Sequence, residues 1–272
     1  MTQAVLVNNQ TYHPLIWNKA VSYKTTKQRL VDRLIDGPSE NDRSNWFFSE
    51  LKADARAELE KAWKPIQYEK GETIMREGAP SHGAYLVRRG FIKVFQKSPE
   101  GKQLIVKLAG PGDLLGEGNV FGSDTCLVSA QALEPTEVAF IARGDFLDLL
   151  GRHPALAFTL MVKLAQEINI LRYRLLEATY EGGKQKIARL LLELEKKYGT
   201  ENGADSPLRI RLSRADIGAM TGLSCETTIR VLSELESRGL IQTEASRIIL
   251  IDKDTLHQLT EPMPPAFMGH LR

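Results

Sequence analysis

The chain has 272 residues and a formal net charge of only +2, so its length predicts two domains while its charge does not by itself announce a nucleic-acid binder. With 42% hydrophobic and 26% charged residues, the balance is ordinary for a soluble globular protein. No apolar run reads as long enough to span a bilayer, and the start of the chain lacks a basic stretch followed by an apolar one, so the expected place is the cytoplasm, with no membrane partner.

Residues 1–44 are polar and irregular and read as an N-terminal extension, flexible and with scattered aromatics at Tyr12, Trp17 and Tyr23. From Trp46 to Trp63 the spacing of Phe47, Leu51 and Leu59 predicts a short amphipathic helix. The period then changes. Short alternating or β-branched runs recur through residues 66–142, among them Ala84-Tyr-Leu-Val, Phe91-Ile-Lys-Val-Phe and Leu104-Ile-Val-Lys-Leu, with Gly-, Pro-, Asp- or Ser-rich turns between them. That pattern predicts an antiparallel barrel or sandwich, here bounded at 45–152.

A second change comes near Pro154, which suits the first turn of a helix. Beyond it Ala157, Met161, Leu164, Ile168, Leu171, Leu175 and Ala178 step alternately by four and three. This is a heptad seam, and a seam on one long helix needs a partner. The segment 153–182 is therefore expected to be a dimerisation helix, with Met161, Leu164, Ile168, Leu171 and Leu175 at the interface of a homodimer. Gly182 and Gly183 break it as a hinge. Residues 184–198 are again helical, and Leu208-Arg-Ile-Arg-Leu212 alternates as a strand.

Ser213-Arg-Ala-Asp216 opens a helix with a cap and an acid three residues on, close to a capping box. Ile217 and Met220 supply its buried face. Gly222 allows a tight turn, and Ser224 caps a second helix with Ile229, Val231, Leu232 and Leu235 on its apolar side. Two short β runs, Leu240-Ile-Gln-Thr and Arg247-Ile-Ile-Leu-Ile, follow as a hairpin. Helix, tight turn, helix and hairpin make a winged helix-turn-helix over 183–256, leaving 257–272 as a C-terminal tail. The second helix of such a unit presents its N-terminal side chains to the major groove. Those are Ser224, Cys225, Glu226, Thr228, Ile229 and Arg230. Arginine pairs with guanine O6 and N7, and glutamate accepts from cytosine N4. Glu226 and Arg230, four apart, share one face and can hold each other while reading G·C pairs. Arg209, Arg211 and Arg214 flank the unit as candidate phosphate contacts.

Four stretches, taken in order, resemble the CRP/FNR family of cyclic-nucleotide-receptor-like transcription regulators: Lys70-Gly-Glu-Thr-Ile-Met-Arg-Glu-Gly78, Ala84-Tyr-Leu-Val-Arg-Arg-Gly-Phe-Ile-Lys-Val94, Pro111-Gly-Asp-Leu-Leu-Gly-Glu117 and Ile217-Gly-Ala-Met-Thr-Gly-Leu-Ser-Cys-Glu-Thr-Thr-Ile-Arg230. The resemblance covers residues from about 46 to 256. It implies an α+β fold: an N-terminal double-stranded β-helix (β-roll) sensor, a long dimerisation helix and a C-terminal winged helix-turn-helix. It also implies binding to palindromic promoter sites in double-stranded DNA and contact with RNA polymerase. Glu226 and Arg230 match the family's base-reading pair, whereas Cys225 replaces an arginine used by some relatives.

The same resemblance implies an effector pocket at Gly116, Glu117, Cys126, Leu127, Leu171 and Arg172. Gly116 and Glu117 match positions that hold phosphate and ribose in cAMP-binding relatives. The phosphate-binding arginine position falls on Cys126 and its hydroxyl neighbour on Leu127. No Lys or Arg occurs between Lys107 and Arg143. A buried phosphate without a cationic partner is costly, so cAMP binding in the usual way is not expected. The only two cysteines, Cys126 and Cys225, lie far apart. They argue against a disulfide framework and against a four-cysteine iron–sulfur cluster within one chain. Each is a candidate redox group, although a small buried hydrophobe is the simpler reading of Cys126. The five histidines form no cluster, so neither a haem nor a metal site is expected, and no enzymatic motif is present. A reading from another class is a small-molecule-sensing signalling or scaffold protein whose C-terminal unit docks protein; the Glu226/Arg230 pair argues against it.

Overall fold

The computed structural model describes residues 53–122, 124–198, 210–244 and 247–260, together with the backbone of a two-strand N-terminal hairpin, β1 (Leu6–Val7) and β2 (Gln10–Thr11). The aromatics expected in the extension, and Phe47 and Leu51 of the first expected helix, lie outside the described residues. That helix, α1 (Ala53–Ala62), buries Leu59, and Trp63 is buried just after it.

Two antiparallel four-stranded sheets follow. One is ordered β3 (Lys64–Tyr68), β10 (Thr136–Ala142), β5 (Gly83–Arg89) and β8 (Leu114–Leu115). The other is ordered β4 (Thr73–Met75), β9 (Ser129–Ala132), β6 (Ile92–Lys97) and β7 (Gln103–Ala109). Strand alternation decides which side chain faces which core. In β5, Val87 points between the sheets and packs in a cluster with Ile74, Ile92, Val94, Ala130 and Val138. Its alternates Ala84 and Leu86 face the opposite way, into a second cluster with Phe146, Leu149, Leu156 and Leu160. That second core is roofed by α1, α3 (Arg143–Arg152) and the first turns of α4 (Pro154–Tyr180). A short helix, α2 (Glu117–Gly122), bridges β8 to the strand at Ser129.

Helix α4 corrects one expectation. Its 27 residues, with a stretch of mean hydropathy 1.2, are long and apolar enough to cross a membrane by length and composition. The apolar residues divide between two faces. Leu156 and Leu160 are buried against the barrel, with Ala157 and Leu164 partly buried beside them. Met161, Ile168, Leu171 and Leu175 form an exposed row. Of the expected seam, Ala157 and Leu164 thus serve the barrel, and Leu164 faces it rather than open solvent.

Glu181 and Gly182 interrupt the helical chain, and α5 begins at Gly183 and runs to Tyr198. The C-terminal core joins α5, α6 (Arg214–Thr221), α7 (Cys225–Ser237), the hairpin β11 (Ile241–Glu244) with β12 (Arg247–Leu250), and α8 (Lys253–Leu259). The expected tail from 257 therefore starts inside a helix whose Leu256 is buried. Residues 199–209, including Arg209, lie outside the described residues. Ile210 and Leu212 are buried, as their alternation requires, but they make no ladder with another strand among the described residues.

The two domains touch directly. The Tyr198 hydroxyl donates to the Leu108 carbonyl at 2.9 Å, and its ring meets Phe91 edge-on at 5.0 Å between centroids. Gly110 permits this approach, because a Cβ there would lie 2.8 Å from the Tyr198 ring. Lys93 of β6 pairs with Asp216 of α6 at 3.0 Å, and Lys197 pairs with Asp113 at 3.0 Å.

Candidate nucleic-acid interface and sensor pocket

The turn between α6 and α7 is built by local chemistry. Ser213 accepts the Asp216 amide at 3.0 Å, while Asp216 accepts the Ser213 amide at 3.3 Å, which completes a capping box. Gly222 follows α6 at φ 69°, a left-handed conformation that favours glycine. Ser224 accepts the Thr227 amide at 3.1 Å and so caps α7, where an uncapped end would cost about 1 kcal/mol.

Packing fixes the rotation of α7. Thr228, Val231, Leu232 and Leu235 are buried, so Cys225, Glu226, Ile229 and Arg230 point outward, and all four are exposed. Two expectations change here. Thr228 is fully buried and donates its hydroxyl to the Ser224 carbonyl at 2.9 Å, so it packs α7 on α6 and is not free to meet a base. Ile229 is 48% exposed and leaves the apolar side to its neighbours. Glu226 and Arg230 share a face but are not ion-paired, so neither holds the other. Arg214 is partly buried and donates to Thr243 Oγ1 on β11 at 3.2 Å, which ties the helix to the hairpin.

The expected effector residues divide between two settings that meet at Gly116, where a Cβ would lie 2.7 Å from the Gly83 carbonyl and 3.5 Å from Met75 Sδ, both on the wall of the cavity that Cys126 lines. Glu117 is buried at the start of α2, where Lys107 of β7 reaches it at 3.5 Å and Lys163 of α4 at 3.9 Å. Lys107 also pairs with Glu167 at 2.6 Å. Burial works against the Lys107 charge, yet Glu117, Glu167 and Asp113 outweigh it and hold the ammonium protonated more firmly than usual. Burial and then Lys107 push the Lys163 ammonium down from its ordinary value. Burial opposes the Asp113 charge as well, but Lys197, Lys107 and Lys163 hold its carboxyl below the usual range. Three ammonium groups, Lys107, Lys163 and Lys197, thus meet three carboxylates around the position assigned to a ribose. Lys107 and Lys163 were missed in the sequence. Their signal was present: Lys163 falls three residues after Leu160 on the inward face of α4, where an unpaired charge would be costly.

Cys126 lines a cavity of about 270 Å³ together with Met75, Arg76, His82, Gly83 and Tyr85. Its thiol approaches the Pro80 carbonyl at 3.9 Å, and burial pushes its pKa up, which favours the less reactive thiol form. Leu127 is 59% exposed and Leu171 55% exposed. Arg172 is exposed too, with a 3.5 Å contact to Asn169. Cys225 is exposed at the head of α7. Among the described residues, no group of three or more His, Cys, Asp or Glu is arranged to hold a metal ion.

Residues 65–153 match the family model of the cyclic nucleotide-binding domain, and residues 185–259 match that of the Crp-like helix-turn-helix domain. The transcriptional activator protein anr of Pseudomonas aeruginosa is 30% identical over 199 residues, covering 73% of this chain and 80% of that protein. The chain belongs to the CRP/FNR family of transcription regulators. Another family member, the CRP-like cAMP-activated global transcriptional regulator of Mycobacterium tuberculosis, is 24% identical over 210 residues, covering 77% of this chain and 94% of its own. Among solved structures, FixK2 from Bradyrhizobium japonicum aligns with a TM-score of 0.68 at 25% identity, covering 74% of this chain and 99% of FixK2. As in the CRP/FNR architecture, the sensor and helix-turn-helix matches are joined by the long helix α4. The α+β fold and the helix-turn-helix DNA-binding domain expected from the sequence are both present.

Proposed function

We propose that this protein is a homodimeric regulator that binds palindromic promoter DNA and contacts RNA polymerase, with a sensor that does not take cAMP in the usual way. The observation that carries the reading is the exposed set Cys225, Glu226, Ile229 and Arg230 on one face of a helix whose rotation is fixed by four buried neighbours. Glu226 and Arg230 supply an acceptor and a bidentate donor for base edges. Ser224 serves the face as its cap, and Arg214 braces the hairpin that would flank the groove.

Selection of bound sequences from random duplexes tests this. The expected product is a palindrome whose half-site centres lie about 34–36 Å apart, one helical turn, with binding that weakens steeply as salt rises. Binding without sequence preference would defeat the reading and favour a unit that docks protein.

The effector part rests on charge. Cys126 stands where the resemblance places a phosphate-binding arginine, and it offers no cation. The lysines nearest Glu117 are already matched by Glu117, Glu167 and Asp113, and Lys197 pairs with Asp113 as well, so three ammonium groups balance three carboxylates and the group has no surplus positive charge for an added phosphate. Burying a further anion beside it is unfavourable. Calorimetric titration of the full chain with cAMP is expected to give no binding tighter than about 1 mM; micromolar affinity would overturn the claim.

A further inference from the structure

The joint between α4 and α5 carries a charged cluster that DNA reading does not use. Arg189 of α5 lies 3.1 Å from Glu177 of α4 and pairs with Glu181 of the joint at 2.5 Å. Its guanidinium also sits 5.5 Å over the Tyr173 ring and donates to the Thr260 carbonyl at 2.8 Å. Arg174 of α4 donates to the Val106 carbonyl at 2.5 Å, which adds β7 of the sensor to the same group. Glu193 of α5 stands on its open side. Lys186 is held away on the Ala178 carbonyl at 3.1 Å.

Three carboxylates therefore share two guanidinium groups. Glu177 Oε1 and Glu181 Oε2 are buried without a hydrogen bond. The side chains of Glu177 and Glu181 are only 17% and 8% exposed. One negative charge is left over in this group when all are ionised, and Gly182, beside it, is where the chain can bend.

We propose that this cluster makes the α4–α5 joint proton-responsive: one proton shared at Glu177 holds the DNA-binding domain in the observed orientation, and its loss loosens the joint. The supporting electrostatics agree. Burial, then Glu193 and Glu181, push the Glu177 carboxyl up to about 7 against the pull of Arg189 and Arg174. In a loosened joint Glu177 is solvated and returns to its ordinary range. The closed form thus binds the proton more tightly. It is favoured at low pH, loses that advantage as pH climbs from the ordinary glutamate value to about 7, and loses no more above it.

The test is hydrogen exchange of the full chain over the Gly182–Gly183 joint from pH 5 to 8, corrected for intrinsic rates. Protection in the wild type is expected to fall about tenfold between pH 6 and 8, flattening above pH 7. Glu177→Gln is expected to abolish that fall. Glu193→Gln, an exposed change that leaves the Arg189 pairs intact, is expected to move the flattening point to lower pH. A flat wild-type profile overturns the proposal, as does an unchanged fall in Glu177→Gln or an unmoved flattening point in Glu193→Gln.

Discussion

Arg230→Ala is expected to weaken operator binding by about 1–3 kcal/mol per half-site and to relax preference at one base pair. Arg230 is exposed on α7 and makes no described hydrogen bond or ion pair, so its removal should leave folding within about 0.5 kcal/mol of wild type. Its neighbours explain why the effect should be specific. Thr228 and Val231, on either side in sequence, are buried and hold the helix phase after the substitution. The variant therefore presents the same helix with one bidentate donor missing. A phosphate contact would behave differently: losing it weakens all sequences alike and lowers the salt slope by about one unit. Binding of a matched set of operators differing at single positions, at two salt concentrations, separates the two. A uniform loss would remove Arg230 from base reading. Arg230→Lys should recover charge but not the fork geometry, and so should rescue general affinity more than discrimination.

The sequence made the outlines legible because the relevant signals are local. Alternation in Ala84–Val87 divides one sheet between two cores. Ser213 with Asp216, and Ser224 with Thr227, mark both helix starts through contacts three residues apart. What escaped was set by distant neighbours. Lys163 looks like any helical lysine until α4 lies on the barrel and meets Glu117. Thr228 shares the N-terminal turns with the exposed set, and only the approach of α6, where Gly218 leaves room beside the Thr228 hydroxyl, shows that it is packed. Leu208–Leu212 has the alternation of a strand, and Ile210 and Leu212 are buried accordingly, but alternation specifies burial and does not supply a hydrogen-bonding partner. The effector residues were placed by resemblance, and packing gives them different surroundings: Gly116 beside the cavity that Cys126 lines, Glu117 among lysines, Leu127 and Leu171 at the surface.

The exposed row on α4 yields the second large effect. Met161, Ile168, Leu171 and Leu175 are 58%, 50%, 55% and 68% exposed in the single chain, and burying what remains against a second copy is worth on the order of 1 kcal/mol for each side chain. Leu171→Glu combined with Leu175→Glu places charges one helical turn apart in that seam, where the same residues of a twofold-related copy would oppose them. Neither leucine belongs to a buried cluster, so the protomer should keep its helical content. Sedimentation is expected to show a monomer. With two half-sites no longer engaged together, affinity for a palindrome should fall by about 10²–10⁴-fold, the loss of effective concentration. Affinity for an isolated half-site should hardly change, because α7 and its exposed face are untouched. That contrast separates a dimer defect from damage to the DNA-binding domain. If the double variant remains dimeric and binds the palindrome as tightly as the parent, the copies meet on another surface, and the apolar length of α4 needs a different explanation.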